Sequence, residues 1–482
     1  MPRGAGAAEG GPDPPAPEAI VSSTTPTLAV LERPAPARPE RDLTVDLLRA
    51  LAMVAVAVGH WLVVVPSYAD GRFDGVNALA TVPLMRPLTW LFQVMPLFFV
   101  VGGVANAASW SGARGRGETY STWLRTRLVR LVRPAALLFG VWAGAAALLR
   151  AAGVPADVVE PIAWLVVVPV WFLAVYVLVV AVAPALWRAH ERFGWRTVAV
   201  LAAGAAAVDG ARVAGAGEAV AAVNFLLVFC VCQQIGFAWY DGRLARHRAT
   251  GWALLGGGLG ALWLLTHAGP FPVSLVGYPG QELANNAPPT STLVALGLAQ
   301  TGLALLARPL LQRALGHRPV QVFALVLNRN AMTILLWHFT ALVLAAVVLL
   351  PLGVVPDHPE GSGAWWLTRL ATVVVLAAVL VPIVALVGRT ERRPASGPTA
   401  DPATRPRWAW APVVAVPLLA VSFGLITVDG LSGGGPLGIP VLATILFGSG
   451  AALAHARATP EADQLSMALP SASTTHQTPP TP

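Results

Sequence analysis

The chain has 482 residues, of which 56% are hydrophobic and only 12% are charged, and its formal net charge is +8. This excludes an ordinary soluble globular protein, because such a chain needs far more charge to cover its surface. All 32 basic residues are arginine, and most lie in short segments between apolar runs. That distribution indicates membrane topology, and no nucleic-acid partner is expected.

Apolar runs of membrane-spanning length recur along the chain, since a bilayer needs about 20 apolar residues per helix. The runs are continuously apolar rather than alternating, which predicts helices and not a β-barrel. We therefore expect an all-α, polytopic transmembrane helical bundle of about ten core helices plus two C-terminal helices. The twelve predicted spans lie at about residues 44–65, 89–110, 134–150, 162–187, 196–211, 219–239, 250–267, 290–307, 328–350, 364–388, 408–428 and 437–456.

Composition divides the chain into five segments. Residues 1–42 and 458–482 are expected to be disordered because they are rich in Pro and small or polar residues. The first of them has no apolar core, so no cleavable signal peptide is expected. Between them we expect a membrane domain at 43–388, a cytoplasmic linker at 389–407 and an additional transmembrane helix pair at 408–457.

Arginine is concentrated in alternate loops. The other loops are poor in arginine: the segment 66–88 holds two arginines, and the segments 268–289 and 351–363 hold none. By the positive-inside rule the arginine-rich side is cytoplasmic, which predicts a multi-pass plasma-membrane protein with both termini in the cytoplasm. The arginine-rich loops carry Arg114, Arg116, Arg125, Arg127, Arg130, Arg133, Arg188, Arg192, Arg196, Arg243, Arg246, Arg248, Arg308, Arg313, Arg318, Arg389, Arg392 and Arg393.

The first span, "RALAMVAVAVGHW", holds Arg49 and His60 in an otherwise apolar helix. Eleven residues at 100° each bring both side chains within about 20° of one direction, about 16 Å apart along the axis. They could contact one elongated ligand or pathway at two depths. Alternatively, Arg49 snorkels to the interface and His60 bonds a neighbouring helix. Asp46, one turn earlier, is a possible partner of Arg49.

The stretch "RDLTVDLLRALAMVAVAVGHW" resembles the opening helix of the membrane-bound acyltransferase-3 family, marked by a basic residue, ten residues and a histidine. Further stretches are similar in order and spacing, and the resemblance covers about residues 42–388. They are "VMPLFFVVGGVANAASW" (94–110), "WLRTRLVRLVRPAAL" (123–137), "VWFLAVYVLVVAVAPAL" (170–186) and "NRNAMTILLWH" (328–338).

The resemblance implies a membrane O-acyltransferase that uses cytoplasmic acyl-CoA, most often acetyl-CoA, as donor substrate, with no bound cofactor. The acceptor would be a hydroxyl of an extracytoplasmic sugar, glycolipid or secreted metabolite. We expect Arg49 to orient the donor and His60 to act as general base or to accept the acyl group itself. His338 ends the late motif and is a second catalytic candidate, with a purely structural histidine as the alternative.

Four arginines enter the third span, and their spacing keeps three of the four on one broad helical face. They are Arg125, Arg127, Arg130 and Arg133. Together with Arg49 they are candidates for binding the phosphates of CoA. Positive-inside topology with lipid headgroup contact is the alternative reading.

The sequence leaves two alternatives to an acyltransferase. A transporter or exporter with an intramembrane Arg/His pathway is the main alternative, although no internal repeat is visible. A non-catalytic relative is a third, because Pro96 and Gly102-Gly103 stand where the family usually has Asp and Ser-Gly. No metal is expected, since no HExxH or other ligand spacing occurs.

Two further features are open to a plain structural interpretation. The long, nearly uncharged segment 268–289 is either a lid over the acceptor site or an ordered surface loop. Five polar residues inside the spans are interpreted as contacts between helices. These five are Asn106, Asn224, Gln233, Gln234 and Gln300.

Overall fold

The computed structural model describes residues 42–70, 72–244, 247–392, 408–432 and 440–456. These described residues are 78% helical with almost no sheet, which confirms the all-α prediction. The helices are α1 (Leu43–Val63), α2 (Ala78–Thr81), α3 (Met85–Phe92), α4 (Met95–Gly115), α5 (Tyr120–Ala151), α6 (Ala156–Leu165), α7 (Trp171–Phe193), α8 (Trp195–Val213), α9 (Glu218–Ala221), α10 (Asn224–Tyr240), α11 (Arg248–Trp263), α12 (Ser291–Leu315), α13 (Arg318–Arg329), α14 (Ala331–Leu349), α15 (Gly363–Arg392), α16 (Ala411–Asp429) and α17 (Val441–His455).

Ten helical segments among the described residues are long and apolar enough to cross a membrane. Each of the twelve predicted spans contains a described helix, but the fifth and the twelfth fall outside the ten. The fifth, α8, carries the charged residues Arg196, Asp209 and Arg212, and the twelfth, α17, has only 15 residues. The ten are Leu43–Val63, Met85–Gly115, Tyr120–Ala151, Ala156–Phe193, Glu218–Tyr240, Arg248–Ala268, Ser291–Leu315, Ala331–Leu349, Gly363–Arg389 and Ala411–Asp429.

Contacts at the two ends of α8 show that it nevertheless runs through the bundle. Near its start, Thr197 Oγ1 donates to the Ala189 carbonyl at the end of α7. Near its end, Asp209 accepts from the Ser291 amide at the start of α12. We call the end of the bundle where α1 starts and α7 ends the arginine-rich face. The opposite end, where α1 ends and α12 starts, is the hairpin face.

The hairpin face carries a β-hairpin in a connection that the sequence predicts as a loop. Strand β1 (Val64–Ala69) pairs antiparallel with β2 (Arg72–Asn77), from Val64↔Asn77 to Ala69↔Arg72. The β-branched run at the end of the first span favours a strand, and Asp-Gly is a strong hairpin signal. Asp70 has φ +51°, as such a turn requires. The short helices α2 and α3 fill the rest of this connection.

Helices α4 and α10 approach closely through two glycines. A Cβ on Gly103 would lie 2.3 Å from the Gln233 carbonyl oxygen, and one on Gly236 would lie 2.0 Å from the Val100 carbonyl oxygen. Small residues allow such backbone contact between membrane helices. Gly103 therefore has a packing role in this chain.

The C-terminal helix pair belongs to the same bundle. Ser422 Oγ of α16 donates to the Ala443 carbonyl of α17 at 2.7 Å. The Phe139 ring of α5 lies against Phe423 and Phe447, with centroids 6.2 and 5.1 Å away. The pair thus packs against the third predicted span.

Three predicted segments lie wholly or mostly outside the described residues. These are the terminal segments 1–42 and 458–482 and most of the linker 389–407. The linker begins inside α15, which continues to Arg392. Arg246 and Arg393 also lie outside the described residues.

Candidate active site

Arg49 lies in the half of α1 near the arginine-rich face. Its Nε donates to Asn328 Oδ1 at 2.5 Å, and its Nη2 lies 2.9 Å from Asp46 Oδ1, as predicted. Asn328 also donates through Nδ2 to the Asp46 carbonyl at 2.7 Å, which ties α13 to the start of α1. The Arg49 side chain is still 28% exposed. Arg49 is therefore held by two partners and remains accessible to an anion.

His60 lies near the other end of α1 and contacts the second predicted histidine. Its Nδ1 is 2.8 Å from Nε2 of His338 in α14, and the two rings are within 8° of parallel. Trp61 Nε1 donates to the His338 carbonyl at 2.9 Å and fixes α14 beside α1. His338 is completely buried. The structure thus brings His60 and His338 together from positions 278 residues apart in the chain.

The hydrogen bonds of His338 define which nitrogens carry protons. Its Nδ1 lies 2.8 Å from the Leu335 carbonyl oxygen, which can only accept, so Nδ1 is the donor. A neutral imidazole has one N–H, so His338 Nε2 is an acceptor and His60 Nδ1 must donate to it. The lone pair of a neutral His60 is therefore on Nε2. This nitrogen has no hydrogen-bond partner within the described ranges.

His60 lines a cavity of about 930 Å³, open mouth included, toward the hairpin face. The wall comes from α1, α3, the start of α4, the turn before α7 and the segment 268–289. That segment contributes Val276, and its Leu275 amide donates to Thr89 Oγ1 of α3 at 2.9 Å. The segment is therefore an ordered part of the cavity wall. The segment 268–289 agrees with the interpretation as an ordered surface loop, and it also borders the candidate site.

Two of the four predicted arginines of α5 lie near Arg49. Arg127 hydrogen-bonds the Tyr176 side chain and lies within electrostatic range of both Arg130 and Arg49. The Arg127 guanidinium carbon is also 5.2 Å from the centroid of the Trp123 ring. Arg49, Arg127 and Arg130 thus form a basic group at the arginine-rich face, which we call the arginine cluster.

The other two arginines occupy different positions on the same helix. Helix α5 is continuous from Tyr120 to Ala151, so Arg125 points about 160° away from Arg127. Arg133 lies one turn beyond Arg130, deeper in the bundle. Both side chains are partly buried.

The five polar residues predicted to join helices do so, which confirms that interpretation. Asn106 Nδ2 donates to Gln233 Oε1 at 2.8 Å, and Gln300 Nε2 donates to the Gln93 carbonyl at 2.9 Å. The other contacts join Asn224 to Asp209 and Gln234 to His190.

Two residues beside the site were missed in the sequence. Asn328 is the first residue of the late motif, ten residues before His338, and this position is the signal that could have identified it. Arg369, 5% exposed, donates from Nη2 to the Trp61 and Val64 carbonyls at 2.8 and 3.0 Å and caps the end of α1. An ionisable residue inside an apolar span is a signal of function by default.

The arrangement can bind an anion at one end of α1 and accept a proton in a cavity at the other. In the part of the chain that the structure describes, no group of three or more His, Cys, Asp or Glu side chains could hold a metal ion.

Comparison with known families identifies the family of most of the chain. A family model described as an acyltransferase domain, acyltransferase family 3, matches residues 42–388. The match includes Arg49, His60 and His338 and ends before α16. Comparison with curated proteins and with solved structures gives no significant match. Because the family model covers well over half of the chain, this membrane protein belongs to the acyltransferase-3 family and is a membrane acyltransferase.

Proposed function

We propose that the protein moves an acyl group, in the simplest case acetyl, from acyl-CoA at the arginine-rich face to an acceptor hydroxyl in the cavity. One observation carries the proposal. A single face of α1 joins the arginine cluster to His60, which lines the cavity and has a free Nε2, about 16 Å away along the helix. Acyl-CoA has matching parts, with phosphates at one end and a thioester at the end of a long arm.

The donor binds through charge. The phosphates of CoA lie against Arg49, Arg127 and Arg130, because guanidinium groups pair with phosphate in bidentate geometry. Arg133 extends the positive charge along the pantetheine arm, and Arg125 adds to the field at the surface. On this view the arginine-rich face is cytoplasmic in the plasma membrane and the hairpin face is extracytoplasmic.

The acceptor reacts at His60 Nε2. This nitrogen takes the hydroxyl proton while the oxygen attacks the thioester carbonyl carbon. The C–S bond then breaks, and the CoA thiolate leaves with the proton that His60 returns. His338 accepts the His60 Nδ1 hydrogen and keeps the lone pair aimed at the cavity, so it is a positioning residue. Alternatively, His60 Nε2 takes the acyl group first and passes it to the hydroxyl.

The proposal is tested by release of CoA thiol from acetyl-CoA by the purified full-length protein. We expect His60→Ala to reduce turnover by about 10³-fold, because general base catalysis supplies about 10²–10⁴. Arg49→Ala should raise KM for acetyl-CoA. His267→Ala is the matched control, since His267 is exposed and does not line the cavity. Wild-type turnover by His60→Ala, or no turnover by the wild type, would refute the proposal.

A further inference from the structure

The cavity beside His60 has a mostly apolar wall. Nineteen residues line it, and none of them is charged. The wall is dominated by aliphatic and aromatic side chains, such as Leu62, Leu79, Met85, Phe92 and Phe172. A bound molecule would therefore place mostly apolar surface against this wall.

The polar side chains of the wall are largely engaged within the protein. Thr89 Oγ1 donates to the Arg86 carbonyl and accepts from the Leu275 amide. Gln93 donates to the Leu275 carbonyl and accepts from the Met95 amide. Each side chain therefore has its main hydrogen bonds within the protein, and only a second Gln93 Nε2 hydrogen and single lone pairs remain for a ligand.

Few polar groups of the wall remain for a ligand. The nitrogens among them are His60 Nε2, Asn286 Nδ2, Gln93 Nε2 through its second hydrogen, and the indole nitrogens of Trp171 and Trp366. Asn286 Oδ1 already accepts from the Gly277 amide. A sugar ring buried here would leave several hydroxyls without partners, which is unfavourable. A molecule with an alkyl chain and a single hydroxyl would leave no hydroxyl without a partner, because His60 Nε2 accepts the hydroxyl proton.

The mouth of the cavity adjoins an exposed apolar surface. Leu84, Leu88 and Leu91 are 71%, 44% and 66% exposed. Leu84 directly precedes α3, and the spacing of the three places them on one face at this helix. Leu88 belongs both to this face and to the cavity wall. In a membrane protein such an exposed leucine face contacts lipid. Tryptophan at the wall is also typical of the membrane interface.

We propose that the acceptor is a hydroxyl-bearing lipid of the leaflet at the hairpin face, which enters beside Leu88 with its alkyl chain in the cavity. This inference rests on the proposed function and names its acceptor class. The lipid oxygen forms an ester bond with the acyl carbon, and the thioester C–S bond breaks. The hydroxyl proton passes through His60 Nε2 to the CoA thiolate.

The test uses the full-length protein in phosphatidylcholine vesicles with labelled acetyl-CoA. The vesicles hold hexadecanol, or instead receive methyl glucoside in the surrounding water. Both the CoA thiol released and the label in ester products are measured. We expect labelled hexadecyl acetate and no gain in CoA release from methyl glucoside.

A pair of variants tests where the lipid enters. Leu88→Asn should reduce hexadecanol acetylation by about tenfold, because it places an amide at an apolar contact. Leu259→Asn is the matched control, since Leu259 is 41% exposed on α11 and does not line the cavity. It should leave the rate within about twofold of wild type. Equal effects of the two substitutions would contradict the proposed path.

Binding is measured independently of turnover with a photoreactive diazirine analogue of hexadecanol. We expect cross-links on cavity residues such as Met85 and Trp366, reduced by excess hexadecanol. Cross-links confined to other lipid-facing helices would overturn the inference. CoA release with methyl glucoside but not with hexadecanol would overturn it too and leave the proposed function standing. No CoA release with either acceptor would overturn the proposed function itself.

Discussion

His60 Nδ1 and His338 Nε2 lie 2.8 Å apart, and the His338 Nδ1 hydrogen is held by the Leu335 carbonyl. This chain of hydrogen bonds places the lone pair of His60 on Nε2, at the cavity. This histidine pair is similar to a catalytic triad, in which one group orients the base that takes the proton. In the proposed mechanism His338 is therefore a positioning residue that touches neither substrate.

Replacement of His338 tests this role. We expect His338→Ala to reduce kcat by about 100-fold with little change in KM for the donor, since His60 loses its acceptor. His338→Gln should recover much of the rate, because its Oε1 can accept the same hydrogen. The measurement is steady-state CoA release, with thermal unfolding to verify that both variants are folded. Equal activity of the Ala and Gln variants would argue against an orienting hydrogen bond.

Asn328 should act on donor binding through Arg49. Asn328→Ala removes the acceptor for Arg49 Nε, so we expect KM for acetyl-CoA to rise by about tenfold while kcat changes little. Gln321→Ala is the control on the same helix, because the Gln321 side-chain amide donates to the Leu315 carbonyl. A fall in kcat at unchanged KM would place Asn328 in the chemical step instead.

The arginine cluster should make donor binding sensitive to charge and salt. We expect Arg127→Ala and Arg130→Ala each to raise KM for acetyl-CoA by about tenfold, with a smaller difference at high ionic strength. Arg150→Ala is the matched control, since Arg150 lies on the same helix at the hairpin face and pairs with Glu160. If Arg150→Ala raised KM as much, the donor would not bind at the arginine-rich face.

The close approach of α4 and α10 gives a prediction about stability. Gly236→Ala should destabilise the bundle by about 1–3 kcal/mol, because its Cβ would overlap the Val100 carbonyl. Gly102→Ala should be tolerated, since a Cβ there meets nothing within 4 Å. Thermal unfolding of both variants in one detergent measures the difference. Equal unfolding temperatures would mean that the helices adjust without cost.

Much of the fold was predictable because hydrophobicity governs membrane helices directly. Each of the twelve predicted apolar runs contains a helix, and local geometry placed Arg49 and His60 on one face of α1. The same emphasis on apolar runs concealed the β-hairpin, although Asp70-Gly71 was a turn signal in the sequence.

The site was predictable only in part, since contacts between distant helices have no local signature. The late motif identified His338, but nothing in its sequence showed that its Nε2 meets His60. Asn328 was overlooked because an amide near a span end is usually structural. Arg369 was overlooked because it lies in an otherwise uninformative apolar run.

Acyl transfer by protein of known orientation in sealed vesicles tests whether the donor enters from the arginine-rich face and reacts at His60. With the arginine-rich face outward, external labelled acetyl-CoA should yield ester product with wild-type protein and essentially none with His60→Ala. With the opposite orientation, external acetyl-CoA should yield none. Turnover that does not need His60, or that is equal from both sides, would contradict the account.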